Sequence, residues 1–279
     1  MKISDLVKRI GGRELTYEIL SYVCDVPITE VFLKYNVSKD EARRVVCVAE
    51  EVKKGIPLAY AVGYTWVYGL KFEVDGNVLV PRYDTEILVE TVLKKCACNC
   101  CDGKHENAEK LSILDMCTGS GCIAIALSKN LINAKITGSD ISEQALKVAK
   151  RNAKFNGVAE NIDFIQSDLF ENLDGKKFDI IVSNPPYIKT QEIGMHDATI
   201  LHEPLIALDG GNDGLDFYKR LASQAKDFLN EKGMLAVEIG FDQGEEVSSL
   251  FKQNGFQNIE LFKDLAGHDR VVCGIINHV

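Results

Sequence analysis

Apolar positions recur with a helical period along the first 70 residues, and no strand-like alternation interrupts them. Ser38-x-x-Glu41 predicts a capping box, in which each side chain bonds the backbone N–H of the other residue. The segment that follows the capping box places apolar side chains on one helical face, and Gly55 ends the pattern. These side chains are Val45, Val48, Ala49 and Val52. We therefore predict a small all-helical domain over residues 1–70.

Residues 71–110 are predicted to link this domain to the rest of the chain. The stretch 71–80 contains Asp75-Gly76-Asn77, and an Asp-Gly pair favours the tight turn of a β-hairpin. A helical pattern follows from Pro81 through Leu93, and a cysteine-rich loop follows that helix. We place the domain boundary near residues 75–80.

Beyond residue 111, short β-rich runs alternate with helical stretches, the longest over 214–231. This alternation indicates an α/β domain over 111–279, with a doubly wound, mostly parallel sheet covered by helices on both faces. Because ligands of such sheets bind at the carboxyl ends of the strands, the residues after each strand are candidates for function. The predicted strands are 111–117, 134–140, 161–168, 178–183, 233–240, 258–265 and 270–277.

The composition is typical of a globular protein, with 46% hydrophobic and 26% charged residues. The net charge of −9 is uneven: residues 1–70 contain 10 Lys and Arg against 9 Asp and Glu, and residues 71–279 contain 22 against 32. Nucleic-acid binders normally have a basic surface, so this balance predicts no direct nucleic-acid partner. Charges near the N-terminus, and no apolar run of about 18 residues, predict a cytoplasmic protein without signal peptide or membrane span.

Nine cysteines are present, and four of them crowd together near His105: Cys96, Cys98, Cys100 and Cys101. Dense thiolates can bind zinc, but this spacing lacks the paired C-x-x-C of structural zinc sites. We therefore predict a solvated loop of dispensable cysteines that holds no metal, with zinc binding as the alternative. The other five are predicted to pack as small hydrophobic side chains: Cys24, Cys47, Cys117, Cys122 and Cys273.

The first strand of the α/β domain ends in D-M-C-T-G-S-G. Gly119 and Gly121 would let a ligand approach the backbone, and the next helix offers free N–H groups at its start. Asp140 lies 19 residues after Gly121, at the end of the second strand, where a carboxylate can bind ribose hydroxyls. Gly119-x-Gly121-x-x-Ala124 fits the glycine-rich motif that binds dinucleotides. Together with Asp140, this motif suits an adenosine-containing cofactor, either NAD or S-adenosylmethionine. A turn that needs glycine only for tight packing is the alternative.

The third strand ends in Ser167-Asp168. A carboxylate at this point can accept a hydrogen bond from an adenine amino group. The alternative role for Asp168 is to cap the N-terminus of a following helix.

The fourth strand ends in Asn184-Pro185-Pro186-Tyr187, the most specific segment of the chain. Two prolines stiffen the backbone and remove two N–H donors. The Asn184 amide oxygen and the Pro185 carbonyl can then accept both hydrogens of one planar –NH2 group, while Tyr187 offers a flat face for stacking. Such a site suits a carboxamide or the exocyclic amine of a base. It would orient the nitrogen toward a methyl donor and offset the positive charge that develops there.

D-M-C-T-G-S-G combined with N-P-P-Y resembles the class I S-adenosylmethionine-dependent methyltransferases that modify planar amino nitrogens. Further segments are similar to the release-factor glutamine methyltransferases, which methylate the Gln of the Gly-Gly-Gln motif in bacterial-type peptide-chain release factors. This resemblance covers residue 55 to the end. The segments are P-L-A-Y-A-V-G, Y-G-L-K-F-E-V, V-P-R-Y-D-T-E-I-L-V-E, E-P-L-I-A-L-D-G-G-N-D-G-L-D-F-Y and D-L-A-G-H-D-R-V-V.

The resemblance implies a class I methyltransferase-like, seven-stranded sheet, with the N-terminal helical domain joined through a β-hairpin. It implies S-adenosyl-L-methionine as cofactor, S-adenosyl-L-homocysteine as product and release factors as protein partner; we further expect a monomer that does not bind membranes. The cofactor-binding candidates are Asp115, Thr118, Gly119, Gly121, Asp140, Asp168 and Asn184. The catalytic candidates are Asn184, Pro185 and Tyr187, and the substrate-binding candidates are Asn184, Pro185, Pro186, Tyr187 and Glu203.

Two positions depart from the family pattern. Cys117 occupies a position where the family usually has Gly, but two loop glycines remain, so cofactor binding is expected to survive. Tyr83 stands where the family tends to have Pro, which puts little in doubt.

The expected mechanism is direct methyl transfer without a metal or a covalent enzyme intermediate. Residues 203–218, rich in glycine, are predicted to form part of the pocket wall, and the helical domain is predicted to dock on the release factor. Three other functions remain open. They are an N6-adenine-type nucleic-acid methyltransferase, an NAD-dependent oxidoreductase, and an inactive adenosine sensor or interaction module.

Overall fold

The computed structural model describes residues 1–33, 36–100, 111–195 and 199–277, without the side chains of 98–100. The chain forms two compact units, one built from 1–64 with 199–202 and the other from 65–195 with 203–277. The division of the chain into 1–70, 71–110 and 111–279 stays a prediction, because contacts alone do not separate a linker from the domain it joins. Within the described ranges, no helix combines the length and hydrophobicity required to cross a membrane.

The N-terminal unit is helical, as its apolar pattern predicts. Its helices are α1 (Ile3–Ile10), α2 (Arg13–Cys24), α3 (Ile28–Val31), α4 (Lys39–Lys53) and α5 (Leu58–Val62). The capping box of α4 is confirmed: Ser38 N–H donates to Glu41 Oε2 at 2.7 Å, and Glu41 N–H donates to Ser38 Oγ at 3.1 Å. The apolar faces meet in one core that includes the fully buried Leu6, Ile19, Leu20 and Val45.

The hairpin lies earlier in the chain than predicted. Its strands are β1 (Tyr64–Val67) and β2 (Leu70–Glu73), and Tyr68-Gly69 form the turn with φ of +52° and +69°. Two consecutive positive φ values are typical of the tight turn that matches strand twist. The predicted hairpin around Asp75-Gly76-Asn77 is therefore wrong. Asp75 instead accepts a hydrogen bond from the Asn77 N–H at 3.0 Å, which forms a local side-chain turn.

The linker helix α6 (Thr85–Cys100) begins later than Pro81 and continues through most of the cysteine segment. Cys96 is 5% exposed in the core, so its predicted place in a solvated loop is wrong. The prediction that Cys47 packs as a small hydrophobic side chain is also wrong, because Cys47 is exposed on α4. Cys101, His105 and the side chains of Cys98 and Cys100 lie outside the described residues. Among the described residues, no group of three or more His, Cys, Asp or Glu side chains could hold a metal ion.

The predicted seven-stranded, mostly parallel sheet is confirmed, with strand order β5-β4-β3-β6-β7-β9-β8. β3 through β7 run parallel, and β9 pairs antiparallel with both β7 and β8. The strand order reverses between β3 and β6, which opens a crevice at the carboxyl ends of these two strands. The strands are β3 (Ser112–Met116), β4 (Lys135–Asp140), β5 (Ile162–Gln166), β6 (Phe178–Ser183), β7 (Leu229–Glu238), β8 (Gln257–Lys263) and β9 (Asp269–Ile275).

Helices cover both faces of the sheet, which explains the continuous apolar runs of its central strands. Ile113 packs with α6 and α7 on one face, while its neighbour Leu114 packs with α9 and α10 on the other. The helix predicted over 214–231 is shorter than expected, because β7 already begins at Leu229. The helices are α7 (Cys122–Asn130), α8 (Glu143–Phe155), α9 (Asp216–Gln224) and α10 (Gly244–Gln253).

Asn152 joins the hairpin to the loop after β3. Its Nδ2 donates to the carbonyls of Glu73 at 3.0 Å and Ser120 at 2.9 Å, and its Oδ1 accepts from the Glu73 N–H at 2.7 Å. The side chain is fully buried. One amide therefore satisfies backbone groups of two separate segments.

We predict that Asn152→Leu lowers the free energy of unfolding by about 2–4 kcal/mol, because it leaves buried backbone groups without partners. Urea denaturation followed by circular dichroism measures this change. Asn161→Leu, at an exposed position, is the control and should stay within about 0.5 kcal/mol of the parent. Equal stabilities for the two variants would contradict the bridging role of Asn152.

Candidate active site

A cleft of about 160 Å3 opens at the carboxyl ends of β3, β4, β5 and β6. Its apolar walls include Leu79, Ile141, Leu169 and Phe217. Six of the candidate residues line it, namely Thr118, Gly119, Asp140, Asp168, Asn184 and Pro186. The other five candidates, Asp115, Gly121, Pro185, Tyr187 and Glu203, do not line it.

Asp115 supports the glycine loop from beneath. It is fully buried at the end of β3, and its Oδ2 accepts from Thr118 Oγ1 at 2.5 Å and from the Ala124 N–H at 3.0 Å. Burial raises the pKa of Asp115 to about 7, although both hydrogen bonds favour the carboxylate. The contacts of Asp115 are thus with the loop and the start of α7.

Glycine is required at position 121 for packing as well as for backbone conformation. The φ of Gly121 is +81°, and a Cβ there would lie 3.1 Å from the Ala149 Cβ. Cys117, by contrast, holds a φ of +60° with a side chain, which costs conformational energy. Its side chain packs partly against the core, and burial raises the pKa of its thiol, so the thiol stays protonated.

Asp140, at the end of β4, holds the glycine loop in place. Its Oδ2 accepts from the Gly119 N–H and its Oδ1 from the Ser142 N–H, both at 2.9 Å. Burial raises the pKa of Asp140 while these backbone bonds favour the ionised form. Each oxygen retains a lone pair, so the carboxylate can also accept hydrogen bonds from ligand hydroxyls in the cleft.

Asp168 follows β5 and pairs with Arg220 of α9, whose Nη2 donates to its Oδ1 at 2.7 Å. Both side chains line the cleft. No helix follows Asp168 before β6, so the alternative role as an N-cap is wrong. Arg220 carries no local sequence signal, because its partner lies 52 residues away.

The segment Asn184-Pro185-Pro186-Tyr187 leaves β6 directly beside the glycine loop. Asn184 is half-buried, and its Nδ2 donates to Thr85 Oγ1 at 3.3 Å. The two prolines are buried. The Tyr187 hydroxyl lies 3.5 Å from Glu238 Oε1, at the long limit of a hydrogen bond, and burial raises the pKa of Tyr187.

The predicted wall over 203–218 is present in part. Pro204, Ile206, Ala207 and Phe217 line the cleft. Glu203 instead accepts a hydrogen bond from Arg82 Nη2 at 2.7 Å, with its own side chain 1% exposed. Burial raises the pKa of Glu203, and Arg82 opposes that rise. This ion pair connects the segment before α6, which contains Arg82, to the wall segment 203–218.

Comparison with known proteins identifies relatives along most of the chain. Residues 85–204 match the family model "Methyltransferase small domain". The release factor glutamine methyltransferase of Thermodesulfovibrio yellowstonii is 38% identical over 97% of this chain and 95% of its own length. The chain belongs to the release factor glutamine methyltransferase family.

Other relatives differ in length. The enzyme of that name from Agrobacterium fabrum is 39% identical over 91% of this chain and 87% of its own length. The bifunctional methyltransferase of Rickettsia felis is 38% identical over 97% of this chain. The chain spans only 56% of that longer relative. Family membership disfavours the NAD-dependent oxidoreductase interpretation.

Solved structures agree with the fold. A methyltransferase from Pyrococcus furiosus superposes with a TM-score of 0.55 at 18% identity, covering 86% of this chain and all of that one. The hMettl16 catalytic domain, solved with an RNA hairpin, also gives 0.55 at 14% identity, covering 86% of this chain and 83% of that one. These identities support the class I methyltransferase-like fold alone.

We predict that Asp140→Ala weakens S-adenosylhomocysteine binding by about 10- to 100-fold, because a charge-assisted acceptor and the anchor of Gly119 are both lost. Isothermal titration calorimetry measures the dissociation constant. Asp163→Ala, which removes an exposed carboxylate of neighbouring β5, is the control. Unchanged affinity in Asp140→Ala would remove this residue from the cofactor site.

Proposed function

We propose that this protein uses S-adenosylmethionine to methylate the side-chain amide nitrogen of the Gln in the Gly-Gly-Gln motif of peptide-chain release factors. Support comes from family membership and from one geometric feature. Asn184, in its N-P-P-Y segment, lines the same cleft as the glycine loop and Asp140. A planar amide bound by Asn184 would therefore lie within one cavity with a ligand bound by the loop.

The residues present suit S-adenosylmethionine. Gly119 and Gly121 adopt positive φ, and the backbone at Gly119 lies open to the cleft. Asp140 would hold the ribose hydroxyls, Asp168 with Arg220 would hold the adenine end, and apolar walls would cover the ring. When bound, the cofactor supplies an electrophilic methyl group.

The chain's own residues would orient the substrate amide. The Nδ2 of Asn184 is engaged by Thr85, so Oδ1 is the atom available to accept from the substrate –NH2 group. Pro185 carbonyl is the second proposed acceptor, and Pro186 contributes a rigid part of the wall. Two acceptors stabilise the positive charge that develops on nitrogen, and this stabilisation is stronger in the transition state than in the ground state.

The direct experiment is mass spectrometry of a release factor incubated with this protein and S-adenosylmethionine. A gain of one methyl group on the Gly-Gly-Gln glutamine is expected. DNA and RNA are included as alternative acceptors. Methylation of nucleic acid without methylation of the factor would overturn the proposal.

We predict that Asn184→Ala lowers kcat by about 30- to 900-fold, equivalent to about 2–4 kcal/mol, because it removes an acceptor used as charge develops. Steady-state kinetics on the intact factor measures this loss. The dissociation constant for S-adenosylhomocysteine should change less than about threefold. Near-normal turnover would exclude Asn184 as a catalytic residue.

The N-terminal unit is the proposed docking surface for the release factor. Ile28, Phe32 and Leu33 expose 43%, 54% and 75% of their surface within six residues. Clustered exposed apolar side chains are typical of protein interaction sites. Because the amide pocket recognises only a small group, contacts of this kind would supply the affinity for one particular protein.

We predict that Leu33→Asp raises KM for the intact release factor about tenfold while kcat stays within about twofold, since a charge there opposes apolar contact. A short Gly-Gly-Gln peptide should be a poor substrate for both forms, with equal kcat/KM. Ile132→Asp, at another exposed apolar position, is the control. If peptide and intact factor have equal kcat/KM with the parent enzyme, the docking role is wrong.

A further inference from the structure

Three large apolar side chains are exposed on segments that surround one buried arginine. Tyr83 and Phe241 expose 70% and 64% of their surface, and Leu265 is fully exposed. They lie in separate segments: before α6, between β7 and α10, and between β8 and β9. Neither the proposed chemistry nor the core uses these side chains, which together form the apolar patch.

Arg270, at the start of β9, joins the three segments. Its Nη2 pairs with Asp84 Oδ2 at 3.4 Å and donates to Asp264 Oδ2 at 3.1 Å, and its Nη1 donates to the Ile239 carbonyl at 3.4 Å. Each of these partners lies one or two positions from a residue of the apolar patch, and consecutive Cα atoms are only about 3.8 Å apart. The three exposed side chains therefore share one region of the surface.

The loop that presents Leu265 is held by hydrogen bonds. Asp264 Oδ1 accepts from the N–H groups of Ala266 and His268, both at 2.9 Å. The His268 ring packs edge-on against the Phe241 ring, with their centroids 5.8 Å apart. Because Leu265 buries nothing within the fold, its apolar side chain does not stabilise the folded state. Single exposed apolar residues are common, but a group of them from separate segments is typical of an interaction site.

On one side, the apolar patch borders the cleft through the segment before α6. Tyr83 lies between Pro81 and Thr85, and both of these residues line the cleft. Thr85 Oγ1 also accepts from Asn184 Nδ2 at 3.3 Å. The patch thus begins within two residues of the wall that contacts the proposed amide pocket.

On the other side, the turn that contains Phe241 is bonded to the N-P-P-Y segment. The Gln243 side chain makes this connection, because its Nε2 donates to the Tyr187 carbonyl at 3.0 Å and its Oε1 accepts from the Gly240 N–H at 2.9 Å. The apolar patch is therefore continuous with the pocket through two independent sets of contacts.

We propose that the apolar patch binds the part of the release factor that lies next to its Gly-Gly-Gln loop. The proposal rests on the function proposed above. Continuity with the pocket identifies the occupant: a glutamine that enters the cleft brings its flanking segments to the borders of that cleft. The partner surface would present apolar side chains, which Leu265 and Phe241 bury on binding. This contact is additional to docking by the N-terminal unit and lies closer to the chemistry.

The first test replaces the exposed side chains in the full-length enzyme. Leu265→Ser and Phe241→Ser should each raise KM for the intact release factor about fivefold, because each removes apolar contact with the factor. The double variant should raise KM at least tenfold. In all three variants, kcat and the dissociation constant of S-adenosylhomocysteine should stay within about twofold of the parent. Leu265→Met keeps an apolar side chain and should leave KM within about twofold.

Ile132→Ser and Phe155→Ser are the matched controls. Both positions are exposed and apolar, and α7 and α8 lead them back to the amino ends of β4 and β5, at the opposite edge of the sheet. Their KM values should equal that of the parent. A short Gly-Gly-Gln peptide does not reach the apolar patch, so its kcat/KM should be the same with every variant.

Photo-crosslinking locates the contact on the release factor. A benzophenone-bearing amino acid in place of Leu265 should crosslink to the segments that flank the Gly-Gly-Gln motif, as identified by mass spectrometry of the digested product. The same group in place of Ile132 should give no such crosslink.

A parent-like KM in the double variant would overturn the proposal. An equal loss of kcat/KM with the short peptide would also overturn it, since the substitutions would then act on the pocket itself. Crosslinks from position 265 to a distant part of the factor, or to a second copy of this chain, would assign the patch to another contact. A parent enzyme that does not methylate the release factor would instead contradict the proposed function, so the two failures are distinguishable.

Discussion

The adjacency of β3 and β6 at the centre of the sheet is the constraint on which the site depends. The chain leaves β3 toward β4 and β5, and returns to pair β6 with the other side of β3. The loops after β3 and β6 therefore diverge, and a crevice forms between them. This geometry places the glycine loop and Asn184 at one cavity, although 63 residues separate Gly121 from Asn184. Helices bury both faces of the sheet behind these strand ends.

Buried carboxyl groups surround this crevice and share one arrangement. Asp115, Glu203 and Glu238 each have one oxygen bonded and one buried oxygen without a partner among the described residues. Burial raises the pKa of all three. Each bonded oxygen contacts a different part of the site: Thr118 of the glycine loop, Arg82 in the segment before α6, and Tyr187 of the N-P-P-Y segment. Groups of buried carboxyls with shifted pKa values are typical of functional sites.

Periodicity and strand-end chemistry predict the parts of this protein that depend on local sequence. The helical N-terminal unit, the parallel sheet and the cleft position of Asp140 all follow from patterns within about 30 residues. The sequence misplaces the hairpin because an Asp-Gly pair is a stronger turn signal than Tyr68-Gly69, whose tyrosine must adopt a positive φ. The sequence also misplaces Cys96. The cysteine-rich segment carries no helical pattern of its own, but α6 continues into it because Cys96 packs into the core. Thr85, Arg220 and Glu238 could not be found, because each contacts a candidate site residue that lies more than 50 positions away.

The packing around the proposed amide pocket limits what that pocket could discriminate. A Cβ on Gly210 would lie 2.7 Å from the Tyr187 Cα, so the segment after Ala207 packs directly against the N-P-P-Y backbone. Gln243 further fixes this contact, because its Nε2 donates to the Tyr187 and Gly214 carbonyls at 3.0 and 3.2 Å. In the proposed function, a pocket built in this way from backbone and short side chains would recognise the plane and the two N–H groups of an amide, which every glutamine offers. Selection of one glutamine would then depend on what differs between glutamines: the backbone around the amide and the surfaces of the release factor beyond the pocket.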